Sequence, residues 1–204
     1  MSLEDYFVVN KLLEKHGIHG VRAKYVKSAA EAVSFAAGDD VVLKLISDKA
    51  LHKSKAGLVK LGLRGSREIE SAYADLVRKG ASLKPYKIMV QEMAAPGVEI
   101  IIGGNTDAQF GKTILLGLGG IYVETFKDFA LRVCPITKYD AECMVEQLRS
   151  KNVVTYNGKA KEKIVKLLLS ASSMFCDTDA KELDLNPVIV RENGYDVVDI
   201  RLLR

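Results

Sequence analysis

The sequence predicts an α+β fold with two lobes around a cleft, on three observations. Helical and strand-like stretches interleave without the strict strand–helix–strand alternation of a doubly wound parallel sheet. Two pairs of neighbouring strand-like runs read as hairpins, which make antiparallel sheet. Pro85 and the stretch Ala94-Ala95-Pro96-Gly97 punctuate the middle of the chain, setting a hinge or lobe boundary near residue 90. On that basis the 204 residues form one domain, with a smaller lobe over 20–90 and a larger lobe over 1–19 with 91–204.

Taken in order, Ser2 and Asp5 have the spacing of a capping box ahead of Tyr6, Phe7, Leu12 and Leu13, which keep to about one helical face until Gly17. Ser28 with Glu31 repeats that signature before an alanine-rich helix ending at Gly38. Run length and branched residues predict strands over 41–46, 58–63, 88–93, 98–102 and 113–116. Ser66 opens a third helix through Ile69, Tyr73, Leu76 and Val77 to Gly80, and two more helices cover 139–150 and 159–175. A terminal hairpin of 183–190 with 195–203 turns at Asn193-Gly194, a pair suited to a type I′ turn. That register sets Leu185 against Leu202, Pro187 against Ile200 and Ile189 against Val198, giving one apolar face.

Bulk properties exclude several classes. Thirty basic against 26 acidic side chains leave +4, with the lysines scattered, so no nucleic-acid partner is expected. Three cysteines without C-x-x-C spacing indicate neither a disulfide framework nor a zinc site. The absence of a signal segment or spanning apolar run leads us to expect no membrane association and a cytoplasmic location.

The polar face of the hairpin is the most informative feature. Asp184 and Asn186 lie two apart on one strand, with Asp199 diagonal to Asn186, so three oxygen-bearing side chains converge. Such a set suits Mg²⁺, which takes one or two carboxylates with amide, water or phosphate oxygens; it also suits a solvated acidic face paired with Arg201. Lys44 interrupts an apolar strand, either held by a bound phosphate or snorkelling from a sheet edge. After it comes the loop His52-Lys53-Ser54-Lys55-Ala56-Gly57, polar enough to fold over polyphosphate and holding a histidine able to accept a phosphoryl group or simply to be exposed. Gly117-Leu118-Gly119-Gly120 lacks the trailing residues of a Walker A loop. Glu124, Asp128 and Arg132 recur at four-residue intervals, as on an ion-paired helix face or a site rim that lets Arg132 reach an anion.

Taken together, these segments resemble the ATP-grasp domain of NDP-forming acyl-CoA synthetases, above all the β subunit of ADP-forming acetyl-CoA synthetase. The marks run nearly end to end: His16-Gly17-Ile18, Val42-Leu43-Lys44-Leu45, His52-Lys53-Ser54, Val90-Gln91-Glu92-Met93, Gly97-Val98-Glu99, Asp107-Ala108-Gln109-Phe110-Gly111, Gly117-Leu118-Gly119-Gly120, Glu182-Leu183-Asp184-Leu185-Asn186-Pro187 and Asp199-Ile200-Arg201. The resemblance implies that Lys44, Lys53 and Ser54 hold nucleotide phosphates, that the Glu92–Met93 backbone reads adenine and that Glu99 approaches the nucleotide. It further implies that Asn186 and Asp199, with Asp184 beside them, bind Mg²⁺, that His52 relays the phosphoryl group and that Arg132 lies near its path. The implied reaction converts acyl-CoA, ADP and phosphate to carboxylate, CoA and ATP. It requires a CoA-binding α subunit, in an α2β2 assembly. Departures from the family pattern include Gly111-Lys112 for glycine–proline, expected to alter a loop only, and Lys55-Ala56-Gly57, which looks like succinyl-CoA synthetase β subunits. Alternatives are a succinyl-CoA synthetase-type or other ATP-grasp ligase subunit, or a noncatalytic nucleotide-sensing subunit.

Overall fold

The computed structural model describes residues 4–47, 49, 57–120 and 127–204. In chain order its elements begin with α1 (Tyr6–Lys15), β1 (Ala23–Val26), α2 (Ala29–Ala36), β2 (Val41–Ile46), β3 (Val59–Leu63), α3 (Gly65–Gly80), β4 (Lys87–Glu92), β5 (Val98–Asp107) and β6 (Gly111–Leu118). They continue with β7 (Phe129–Val133), α4 (Lys138–Gln147), α5 (Lys151–Val154), α6 (Lys161–Cys176), β8 (Glu182–Arg191), β9 (Gly194–Val197) and β10 (Ile200–Leu203). Two compact units result: residues 21–94 form one, and 1–20 with 95–204 form the other.

The unit of residues 21–94 is an antiparallel sheet in the order β1-β4-β2-β3. Alternation along the strands sends Val41, Leu43 and Leu45 of β2, with Ile88 and Val90 of β4, into one core with Ala32 and Ala36 of α2 and Ile69, Ala72 and Leu76 of α3. Helix α2 starts as expected: the Ser28 hydroxyl accepts from the Glu31 N–H at 3.2 Å, and Glu31 reciprocates to the Lys27 N–H. Helix α3 differs from expectation. It begins at Gly65 with Arg64 as N-cap, and Ser66 lies inside the first turn. Instead of a capping hydroxyl, the Glu68 carboxylate takes the Arg64 N–H at 2.9 Å.

In the other unit the described strands follow the order β10-β8-β5-β6-β7, with β9 also paired to β8. Ile100, Ile102, Ile114, Leu116, Leu183 and Leu185 are buried. They share one face, against which α6 packs so closely that a Cβ on Gly104 would stand 2.9 Å from the Phe175 ring. Strands β1 and β7 lie in stretches with no predicted strand. Asp128 and Arg132, read in sequence as one option for a helix face, instead sit just before β7 and on it.

The terminal hairpin corrects the predicted register by two residues. Arg191 pairs with Gly194 and Val188 with Val197, so the two-residue turn is Glu192-Asn193, and Ile200, not Leu202, faces Leu185. The expected single apolar face is also interrupted. A bulge sets Asn186 and Pro187 together against Ile101, because Ile100 pairs with Val188 while Ile102 pairs with Leu185. Burial therefore switches from Leu183 and Leu185 before the bulge to Val188 and Val190 after it.

Candidate functional site

The hairpin brings Asp184, Asn186, Asp199 and Arg201 together around the bulge. Arg201 is the cross-strand partner of Asp184. With the corrected register, Asn186 and Asp199 become direct neighbours: the Asn186 N–H donates to the Asp199 carbonyl oxygen at 3.1 Å, and the Val198 N–H donates to Pro187 at 3.0 Å. Asn186 is exposed, while Asp184 and Asp199 are half-buried. Burial pushes the Asp184 carboxyl above its ordinary range; Arg201 opposes that shift, and Asp199 and Glu182 add to it. Among the described residues no group of three or more His, Cys, Asp or Glu side chains is placed to hold a metal. An ion here would rely on a carboxylate, an amide and oxygens from outside the chain, which is the ordinary donor set of Mg²⁺.

Glu99 lies on β5 of the same sheet, paired with Ile189. Its carbonyl accepts from the Gly119 N–H at 2.7 Å, and the glycine-rich end of β6 runs directly over it. A Cβ on Gly119 would meet the Glu99 carbonyl carbon at 2.9 Å, and one on Gly120 would lie 3.1 Å from Glu99 Oε2. These glycines let backbone pass against the carboxylate side chain.

In the unit of residues 21–94, Lys44 pairs with Met89 on one side and Val59 on the other and is 5% exposed. The pleat sets it on the face away from α2 and α3, with Val42, Met89 and Gln91. Lys44 is thus on a central strand, not at a sheet edge. Glu92 ends β4 and Met93 follows it, 40% exposed. Their N–H groups are committed, Glu92 to the Arg22 carbonyl at 2.9 Å and Met93 to that of Asp40 at 3.1 Å.

Arg132 is not gathered with the hairpin cluster. Its register with Ile114 sets it on the helix-covered face, where the guanidinium donates to Gln147 Oε1 at 3.1 Å and to the Leu131 carbonyl at 2.8 Å. Asp128 accepts from the Arg149 and Ser150 N–H groups at 2.8 and 2.9 Å, anchoring the link between α4 and α5. His52, Lys53, Ser54 and Glu124 lie outside the described residues.

Sequence reasoning missed Lys112, expected to change a loop only. Its ammonium donates to the Phe175 carbonyl at 2.6 Å and to that of Thr178, and stands 4.9 Å from the Phe175 ring centre. Lys112 therefore closes the C-terminal end of α6. A lysine at a hairpin turn 63 residues from its partner carries no local signal of that role.

A family model described as an ATP-grasp domain matches residues 4–203. The chain belongs to the ATP-grasp family. Within that family it is 33% identical to the β subunit of acetate–CoA ligase (ADP-forming) II from Pyrococcus furiosus, over 97% of this chain and 89% of the relative. It is also 36% identical to acetate–CoA ligase (ADP-forming) I from Archaeoglobus fulgidus over 94% of this chain, but spans only 30% of that longer protein. Among solved structures, it is similar to the acetyl-coenzyme A synthetase 1 of Ca. Korarchaeum cryptofilum in complex with coenzyme A and Mg-AMPPCP, whose phosphohistidine segment points towards the nucleotide binding site. There the TM-score is 0.79 at 36% identity, covering 94% of this chain and 87% of the other. The ATP-grasp α+β fold agrees with the two mixed units described above. Among the described residues no helix is long and apolar enough to cross a membrane.

Proposed function

We propose that this chain is the nucleotide-binding β subunit of a cytoplasmic ADP-forming acyl-CoA synthetase of the acetate–CoA ligase type. It would take part in converting acyl-CoA, ADP and phosphate to carboxylate, CoA and ATP, working with a CoA-binding α subunit in an α2β2 assembly. The observation that carries this reading is the direct pairing of Asn186 with Asp199 beside Asp184, in an ATP-grasp chain with β-subunit relatives.

The donor set of exposed Asn186 and half-buried Asp199, an amide oxygen and a carboxylate that also accepts from the Ile200 N–H, fits Mg²⁺. When bound, the ion would neutralise charge on the nucleotide's phosphates. Asp184 would tune that pair through its own charge, set against Arg201. Lys44, with Lys53 and Ser54, would hold phosphate oxygens. A buried ammonium is a strong anion site because little water competes for it. Glu92 and Met93 would border the base, offering carbonyl oxygens, since their N–H groups are already used. Glu99, pressed against Gly119 and Gly120, would approach the nucleotide.

His52 would relay the phosphoryl group. Its imidazole nitrogen attacks the phosphorus of an acyl phosphate, the carboxylate leaves, and an N–P bond forms. A β-phosphate oxygen of ADP then attacks that phosphorus, the N–P bond breaks, and ATP departs from a free imidazole. Arg132, engaged with Gln147, would act through the position of β7 instead of touching the reacting atoms.

Incubation of the assembled complex with γ-labelled ATP tests the relay. The expected result is acid-labile, base-stable label on His52 that ADP removes as ATP. Equal labelling of His52→Ala would exclude this residue, and no labelling of either protein would favour a ligase that activates carboxylates without a phosphohistidine.

A further inference from the structure

Strand β7 carries an unusual outward row. Phe129, Leu131 and Val133 are 54%, 50% and 51% exposed, at three successive positions of one face, and Phe110 at the neighbouring turn is 65% exposed. A solvated sheet face ordinarily alternates with polar side chains there. Here the apolar row continues inward at Leu131, which pairs with half-buried Leu115, while Val133 pairs with the buried Thr113, whose hydroxyl is turned to the Asn105 carbonyl. A contiguous apolar surface of this kind marks an interaction site.

From these features we infer that the Phe129–Leu131–Val133 row is the docking surface for the CoA-binding partner subunit. The inference rests on the proposed β-subunit role. Three observations select that occupant. First, register sets Leu131, Leu115, Gly103 and Asp184 in one cross-strand row. The apolar edge and the Asp184–Asn186–Asp199 cluster thus belong to the same face, roughly 14 Å apart at about 4.8 Å per strand. A body seated on β7 stands within reach of the site to which a phosphoryl group must be delivered. Second, the equivalent domain makes up 30% of a single-chain relative, where the remaining polypeptide is tethered covalently. A separate subunit needs a surface that holds that remainder without a tether. Third, β7 is the last described strand on its side, yet the Arg132 guanidinium occupies the Leu131 carbonyl. That contact obstructs strand-to-strand pairing with a second copy of this chain and leaves the side-chain face as the route of association.

The test coexpresses the full chain with the CoA-binding subunit and measures copurification on a CoA resin, then affinity by titration of the separated subunits. Leu131→Arg should weaken assembly at least about tenfold, since it sets a charge into an apolar contact. Val133→Thr, nearly isosteric, should weaken it less. Both variants alone should keep wild-type MgADP binding and melting temperature, which separates lost docking from misfolding. Assembly of Leu131→Arg at wild-type affinity would overturn the docking surface while leaving the β-subunit reading intact. If the isolated chain is a dimer that Leu131→Arg dissociates without affecting partner capture, the row is a self-association surface and the inference fails. A wild-type chain that neither binds MgADP nor joins a CoA-binding subunit would sink the underlying function itself.

Discussion

Asn186 and Asp199 are direct cross-strand partners, joined by an N–H to carbonyl hydrogen bond of 3.1 Å. The bulge at Asn186 and Pro187 turns the hairpin's burial pattern over at this point, so the pair stands where the sheet changes which residues it hides. Substituting either side chain should therefore leave the fold alone. Asn186→Ala and Asp199→Ala are expected to weaken Mg²⁺-dependent nucleotide binding by at least about tenfold, roughly 1.4 kcal/mol or more, with little change in melting temperature. Calorimetric titration of ADP with and without Mg²⁺ reads this directly, and unchanged affinity would remove the pair from the site.

Lys44 gives a second prediction. Lys44→Met keeps the length of the stem and removes the charge, so nucleotide affinity should fall while the unliganded unit stays folded. Loss of binding by Lys44→Met together with collapse of the circular dichroism spectrum would mean that the lysine serves the fold, not the phosphate.

The Asp184 carboxyl sits above its ordinary value of 3.8 through burial, partly countered by Arg201 and reinforced by Asp199 and Glu182. A raised pKa in the folded state means that the group's contribution to stability is complete below 3.8 and fades as pH rises through the folded value. Asp184→Asn, which mimics the protonated form, should consequently melt higher than wild type at pH 7, and the difference should shrink on acidification towards pH 4. Melting curves across that range would contradict the argument if the variant were less stable at neutral pH.

Removal of the Lys112 ammonium takes its donor from the Thr178 carbonyl and one of several donors from the Phe175 carbonyl, which also accepts from the Thr178 hydroxyl at 2.9 Å. Lys112→Met should cost about 1–3 kcal/mol, seen as a lower denaturant midpoint. No change would show that water replaces the lysine without loss.

Gly119→Ala tests the close approach to Glu99. A methyl group 2.9 Å from the Glu99 carbonyl carbon must push backbone apart, with an expected cost of about 1–3 kcal/mol. The same variant should disturb nucleotide binding if Glu99 borders the nucleotide.

Much of this was legible in the sequence where the signal is local. The Ser28–Glu31 cap and the run at Val41–Ile46 depend on residues a few positions apart, and the polar face of the terminal hairpin on two strands joined by a tight turn. The errors share a physical cause. Asn193-Gly194 is a strong turn pair, but the pairing of β8 with β5 and the bulge at Asn186 decide the register, so the turn forms at Glu192-Asn193. The four-residue spacing of Glu124, Asp128 and Arg132 allows a helix face or a site rim, and the helix option fails because Arg132 lies on β7, which pairs with β6. Lys112 and Gly119 act on Phe175 and Glu99, contacts that only the folded chain brings together.

If the proposed function holds, ATP forms from ADP at the hairpin site of this chain. The most direct measurement is ATP formation from acetyl-CoA, ADP and phosphate by the complex purified with its CoA-binding subunit, wild type beside Asp199→Ala. The expected result is CoA release matched one for one by ATP in the wild type, and near-complete loss in the variant despite intact assembly. Undiminished ATP formation by Asp199→Ala, or a wild-type complex that releases CoA without forming ATP, would contradict it.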